Sequence, residues 1–280
     1  MTREGVGPLS IGNLLHSVLE DYYTTENRDP ATFDFETPLA ALTEARLADE
    51  RLPEHAHPAQ IEQAELAKIM LRGYFEWLQD DGADSDLEIL SAEEEIEAYL
   101  GEIQGVDVWL MGKLDVRARF RSTGETVFVD HKSVQTLLDI PKTGLIDEQL
   151  KMYGLLERMV SDTRTGGGLW NMLRKVKRTA SAKPPFYGRA GVRHNDEVYR
   201  TFYARIWGEV SDIVRTTALL DAGGDHHVVA YPNPTRDCSW DCPFFDICPQ
   251  FDDGSDVEGV IEAEYEVHDP YARYLELEKS

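Results

Sequence analysis

Hydrophobic residues first recur at helical spacing. Leu14, Leu15, Val18, Leu19 and Tyr22 mark one face of a helix over residues 12–23. A loop is expected over 27–35 and an alanine-rich helix over 39–52. A third helix opens at Pro58 and runs over 59–79, with Ile61, Leu66, Met70, Tyr74, Trp77 and Leu78 on its buried face. The period then changes. Residues 87–100 read as a strand with an acidic outer face, and 106–121 alternate: Val106, Val108, Leu110, Leu114, Val116, Ala118 and Phe120 fall on one side, Trp109, Met111, Lys113, Asp115, Arg117 and Arg119 on the other. Ser122-Thr123-Gly124-Glu125 is a tight turn into a second strand over 126–134, so the two form a hairpin. A helix over 146–161, a glycine turn at 166–168, a short strand over 169–173, a loop over 183–191 and a long helix over 196–220 complete the pattern. The fold class this predicts is α/β: a mixed central β-sheet flanked by helices, with a helical insertion over about 30–86.

Two opposite charges end the apolar run Val127-Phe128-Val129-Asp130-His131-Lys132. Asp130 and Lys132, two apart on a strand, share a face, and such residues are seldom buried unless paired or bound to metal. Asp115 stands in Gly112-Lys113-Leu114-Asp115, and Gln149 and Tyr153 lie i, i+4 on one face of the following helix. His16 lies on the first helix, four residues after Gly12. Taken singly, each admits a plain reading, such as a surface ion pair or a packed histidine.

In order, however, these are Gly-x-x-x-His, Gly-x-x-Asp, Asp-x-Lys and Gln-x-x-x-Tyr. The set resembles the RecB-like branch of the PD-(D/E)xK nuclease superfamily. It is most similar to exonucleases related to a CRISPR-associated RecB-like nuclease, many of them phage-encoded. The likeness runs from Gly12 to Gly254. It implies a restriction-endonuclease-like core and metal-dependent hydrolysis of DNA. Asp115 and Asp130 are oxygen donors of the type Mg²⁺ and Mn²⁺ prefer. The resemblance adds the main-chain carbonyl of His131 and the imidazole of His16 as ligands, and a histidine ligand favours Mn²⁺. Lys132 would orient the attacking water or stabilise developing charge, with Gln149 and Tyr153 orienting Lys132 and the scissile phosphate.

Composition changes this picture at two points. The formal net charge of −24 argues against a polyanion partner. Yet residues 163–195 contain no Asp or Glu and carry Arg164, Arg174, Lys175, Lys177, Arg178, Lys183, Arg189 and Arg193. That segregation favours a polyanion contact over a solvated basic loop, and with the resemblance the expected DNA contact centres on Arg174, Lys175, Lys177 and Arg178. The three cysteines, Cys238, Cys242 and Cys248, are clustered as C-x3-C-x5-C, a poor disulfide framework and a better metal or cluster site, for iron–sulfur or zinc. The resemblance makes them three ligands of a [4Fe–4S] cluster. The family's fourth, a cysteine well before the histidine helix, is missing here, so the expectation is either a start shortened relative to the family or an incomplete, three-iron or lost cluster.

The expected organisation is a nuclease domain over 1–233, a cysteine-rich segment over 234–254 and an acidic, partly disordered tail over 255–280. No apolar run approaches the roughly 20 residues needed to span a bilayer, and residues 1–10 have no signal-peptide core, so a soluble, cytoplasmic protein is expected. The leading expectation is an exonuclease acting on single-stranded DNA ends in recombination or repair. The alternatives are a non-catalytic DNA-end-binding or adaptor protein and a zinc-bound DNA-binding protein.

Overall fold

The computed structural model describes residues 8–49, 52, 54–137, 144–161, 165–231, 233–235, 238–242 and 244–265. The chain divides into two compact units, the larger being Gly5–Arg215 and the smaller taking the described residues from Thr216 onward.

In the larger unit α1 (Pro8–Thr24), α2 (Glu36–Leu47) and α3 (His57–Asp81) precede a five-stranded sheet. Its strands are β1 (Leu87–Ile103), β2 (Val106–Phe120), β3 (Thr126–Val134), β4 (Thr165–Arg174) and β5 (Tyr187–Val192), hydrogen-bonded in sequence order. All neighbours are antiparallel except β3 and β4, which run parallel and are joined through α4 (Glu148–Ser161). A parallel pair needs such a crossover, whereas β1 and β2 close on the two residues Gln104 and Gly105, both with positive φ, as the twist of a tight hairpin requires. The long helix α5 (Asp196–Asp221) follows β5.

Both sheet faces are covered, which is why β3 reads as a continuous apolar run. Val127 and Val129 pack in a core with α1, α2 and α3, while Phe128, pointing the other way, packs with α4 and α5. In α1, Ile11, Leu14, Leu15, Val18, Leu19, Tyr22 and Tyr23 are all buried, the stripe expected of an amphipathic helix. In α3 the expected Met70, Tyr74 and Leu78 are buried with Gln60, Ala64, Ala67, Leu71 and Phe75, and Leu66 and Trp77 pack against them, but Ile61 lies outside and is 48% exposed.

Two further expectations need correction. The segment 183–191 is not all loop, because Tyr187–Val192 is an edge strand. Its two glycines and inward-pointing Arg189 hide the alternation that would have marked it. Nor does β2 keep one apolar face. Leu110 and Leu114 pack with α4 and α5, but Val116 and Ala118 pack with α1 and α3. Strict alternation would put all four on one side, so the phase slips between Leu114 and Val116, at Asp115.

The smaller unit carries the short helices α6 (His226–Val229), α7 (Cys238–Asp241), α8 (Gln250–Asp253) and α9 (Val257–Glu264). Part of the acidic tail is thus helical, and residues 266–280 lie outside the described residues. Among the described residues, no helix is long and apolar enough to cross a membrane.

Candidate metal centre

The β2–β3 ladder runs from Arg119↔Thr126 to Val116↔Val129, and the next residues on the two strands are Asp115 and Asp130. On the other edge of β2, the rungs Ala92↔Val116 and Glu94↔Leu114 flank Glu93 and Asp115. Glu93 has φ +52, a conformation rare outside glycine, and here the phase of β1 slips with that of β2. Strain of this kind costs on the order of 1–3 kcal/mol and collects at functional sites. It brings Glu93 and Asp115 together with His16 from α1, the three ligand atoms lying within 4.8 Å of one another.

Past the last rung the N–H of His131 donates to Asp115 Oδ2 at 2.7 Å rather than to a strand carbonyl. His16 closes the arrangement. Its Nε2 donates to the His131 carbonyl at 2.9 Å and its Nδ1 stands 3.4 Å from Asp115 Oδ1. Asp130 is fully buried at 0% exposure, with Lys132 Nζ 2.9 Å from its Oδ2. Among the described residues, that ion pair apart, neither Asp130 oxygen has a hydrogen-bond donor. Buried carboxylate oxygens are almost always satisfied, and an orphaned pair facing a histidine and further carboxylates fits a cation.

Lys132 Nζ also donates to Gln149 Oε1, and Gln149 Nε2 donates to Tyr153 OH at 2.6 Å. Gly112 makes this approach possible. A Cβ there would stand 2.6 Å from Leu156 Cδ1 and 3.8 Å from Tyr153, so a larger residue would force the Leu156 side chain to move. His16, Asp115, Asp130, His131, Lys132, Gln149 and Tyr153 therefore converge as the sequence pattern anticipates.

Protons occupy this cluster. Burial opposes charge on His16, but the adjoining Asp115, with Asp130 and Glu93, outweighs it and raises the imidazole to about 8. Burial pushes Asp130 up to about 7 against the pull of Lys132, with the Asp115 charge adding to the rise. Burial raises Glu93 despite Lys113, whose Nζ lies 2.7 Å from Glu93 Oε2. Burial likewise pushes Asp115 up, but His16 and His131 more than reverse it and hold the carboxyl below its ordinary value. Both His16 and Asp130 are raised, so below neutrality both carry protons that an entering cation must displace. Affinity for Mn²⁺ should therefore rise with pH and level off above about 8, by up to about tenfold per pH unit for each proton released. Calorimetry in buffers of different ionisation enthalpy measures this; a pH-independent affinity with no proton release would contradict it.

The model of the PD-(D/E)XK nuclease superfamily matches residues 2–249. The chain belongs to this superfamily. PD-(D/E)XK nucleases use Mg²⁺ or Mn²⁺, in keeping with the donor set above. No curated protein matched the chain. Among solved structures it is similar to the crystal structure of SSO0001, with 16% identity, a TM-score of 0.34, and 86% of this chain and 97% of that chain covered.

In this PD-(D/E)XK nuclease the residue missed in the sequence is Glu93. It sits in the run Glu93-Glu94-Glu95, where only its positive φ singles it out. The basic stretch is less free than composition implies. Arg189 is mostly covered and pairs with Asp84, 2.6 Å away, so it is not a surface contact. Arg178 stacks 3.7 Å over the Phe186 ring and donates to Tyr187 OH. Arg174 donates to the carbonyls of Lys183 and Gln135, and Lys177 pairs with Glu62 at 2.7 Å. Among the described residues, Lys175 has no side-chain hydrogen bond or ion pair. The rungs Lys132↔Met172 and Val134↔Arg174 place the start of the stretch just past the catalytic end of β3. Cys238, Cys242 and Cys248 are half-buried in the smaller unit, are not joined in a disulfide, and form no three-ligand group within 4.8 Å among the described residues.

Proposed function

We propose that this nuclease is an exonuclease that hydrolyses DNA from an end, acting on single strands. One observation carries the catalytic part of the reading: a fully buried Asp130 whose carboxylate, among the described residues, has the Lys132 ammonium as its one donor partner, across from Asp115. A protein that only bound DNA would have no use for this costly arrangement. Asp115, Asp130, Glu93, His16 and the His131 carbonyl would hold a Mg²⁺ or Mn²⁺ ion. Such an ion polarises a phosphoryl oxygen and lowers the pKa of a coordinated water.

The protein groups supply the rest. Lys132, held between Asp130 and Gln149, is positioned as a cation, so it stabilises developing charge on the phosphate or orients the water rather than taking a proton. Tyr153 stays a neutral hydroxyl, because burial and the nearby Asp130 and Asp115 charges raise it, and it fixes Gln149 as a relay. Lys175 and the exposed part of the basic stretch offer sequence-independent phosphate contacts beside the site. Action at single-stranded ends, a role in recombination or repair in a cytoplasm, and a phage connection rest on the ordered motifs and their RecB-like resemblance. An iron–sulfur centre rests on the type and spacing of the three cysteines, and iron and sulfide analysis of protein purified without oxygen tests it.

The deciding experiment compares 5′- and 3′-end-labelled linear DNA with circular DNA, single- and double-stranded, with Mn²⁺ or Mg²⁺. Progressive loss of linear single strands with circles intact is expected. Cut circles would make the protein an endonuclease, and no cleavage of any form would make it a binder.

A further inference from the structure

Asp130 and Lys132 point towards α4, so His131, between them on the strand, points to the opposite face, towards α1 and α3. There its ring meets a polar row that crosses three strands. His131↔Asn171 are register partners on β3 and β4, and Asn171↔Arg189 are partners on β4 and β5. Asn171, at 0% exposure, accepts at Oδ1 from Arg189 Nε at 3.0 Å. Its Nδ2 faces His131 Nδ1 at 2.8 Å and Tyr74 OH at 2.8 Å. Arg189 can only donate, which fixes the amide orientation, so Nδ1 of His131 accepts and the ring proton sits on Nε2. Arg189 is itself held by Asp84 Oδ1 and the Ala83 carbonyl, both at 2.6 Å, and by Tyr23 OH at 3.2 Å. Tyr23 also stacks on the His131 ring, with centroids 5.3 Å apart.

We propose that Asn171, locked by Arg189, is a positioning residue for the His131 carbonyl, and through it for the metal centre; this rests on the reading of the site given above. The reason lies in the end of the β2–β3 ladder. On the β2 side, no rung fixes the peptide of His131, which is held there by two side chains, Asp115 at its N–H and His16 at its carbonyl. A strand residue anchored by its ring cannot rotate about the strand axis without breaking the row. The row therefore stands with these two contacts in place of the missing rungs and sets the rotation at which the carbonyl meets His16. A buried asparagine tied to a largely covered arginine–aspartate pair is expensive to maintain for packing alone, since apolar residues fill a core more cheaply. Groups that orient a ligand in this way typically govern metal affinity by roughly 10–100-fold.

The test uses the full chain without metal. Asn171→Leu keeps the branched shape and removes all three side-chain hydrogen bonds, and Arg189→Lys keeps the charge but not the fork that reaches Asn171 and Asp84 together. Each should weaken Mn²⁺ binding by calorimetry about 10–100-fold while thermal unfolding stays cooperative and DNA binding without metal is unchanged. Ring ¹⁵N shifts should report the Nε2–H tautomer of His131 in the wild type and its loss in Asn171→Leu. Should that variant fail to fold, Arg189→Lys and the wild-type tautomer still decide. Wild-type Mn²⁺ affinity in folded variants, or an Nδ1–H tautomer in the wild type, overturns the positioning role alone. No Mn²⁺ binding by the wild type overturns the metal-centre reading and the positioning role with it.

Discussion

Asp130→Asn should lower the rate of DNA cleavage by about 10³-fold or more while leaving the melting temperature unchanged or slightly raised. The substitution keeps the shape of the side chain and removes one negative charge from the donor set. Two opposing effects bear on stability. Breaking a buried ion pair usually costs about 3–5 kcal/mol because the surviving charge is stranded. Here the survivor is Lys132, whose side chain is 31% exposed and keeps Gln149 as an acceptor, so it can hydrate. Against that, a buried carboxylate with no donor beyond Lys132 among the described residues is relieved of its desolvation cost. Relief should match or exceed loss, the pattern of a residue kept for function at the expense of stability. Single-turnover cleavage and a thermal melt measure the two arms. A variant that cleaves normally would remove Asp130 from the site, and one that loses activity only because it unfolds would make it structural.

Lys132→Met should lower the maximal rate by about 10²–10³-fold, the usual loss when one preorganised donor to a developing charge is removed. Mn²⁺ affinity at high pH should be little changed, since a lysine is no ligand. The pH dependence should move, however. Lys132 pulls the Asp130 carboxyl down against burial, so without it Asp130 holds its proton to higher pH and the rise in metal affinity shifts upward. Rate and affinity measured across pH separate the two effects. Loss of affinity at all pH values with an unchanged maximal rate would make Lys132 a structural partner of Asp130 and nothing more.

The helical stripes of α1 and α3, the hairpin and the crossover helix could be read from periodicity, because each buries one face against one neighbour. The site was legible as an ordered set of short motifs, since Asp130, Lys132, Gln149 and Tyr153 are placed by local repeat geometry. What escaped depends on contacts between distant segments. Glu93 is one of three consecutive glutamates, and only the slip of two paired strands selects it. Asn171 and Arg189 meet His131 through lateral register, which leaves no trace in sequence spacing. Arg178 and Arg189 read as surface charges because composition cannot distinguish a solvated guanidinium from one pressed on an aromatic ring or paired in the core.

The double slip at Glu93 and Asp115 also sets where this chain can change length. Beyond that level the β1–β2 hairpin continues to its turn at Gln104 and Gly105, with Ile96, Ala98, Leu100, Leu110 and Leu114 turned towards α4 and α5. Two residues added to each strand there would lengthen the arm and restore every side chain to its face. One residue added between the slip and these positions would turn the whole set outward while the catalytic rungs stayed in place. The arm is thus a region where homologous chains can differ in even steps without disturbing the carboxylates, and the slip is the fixed point from which those steps are counted.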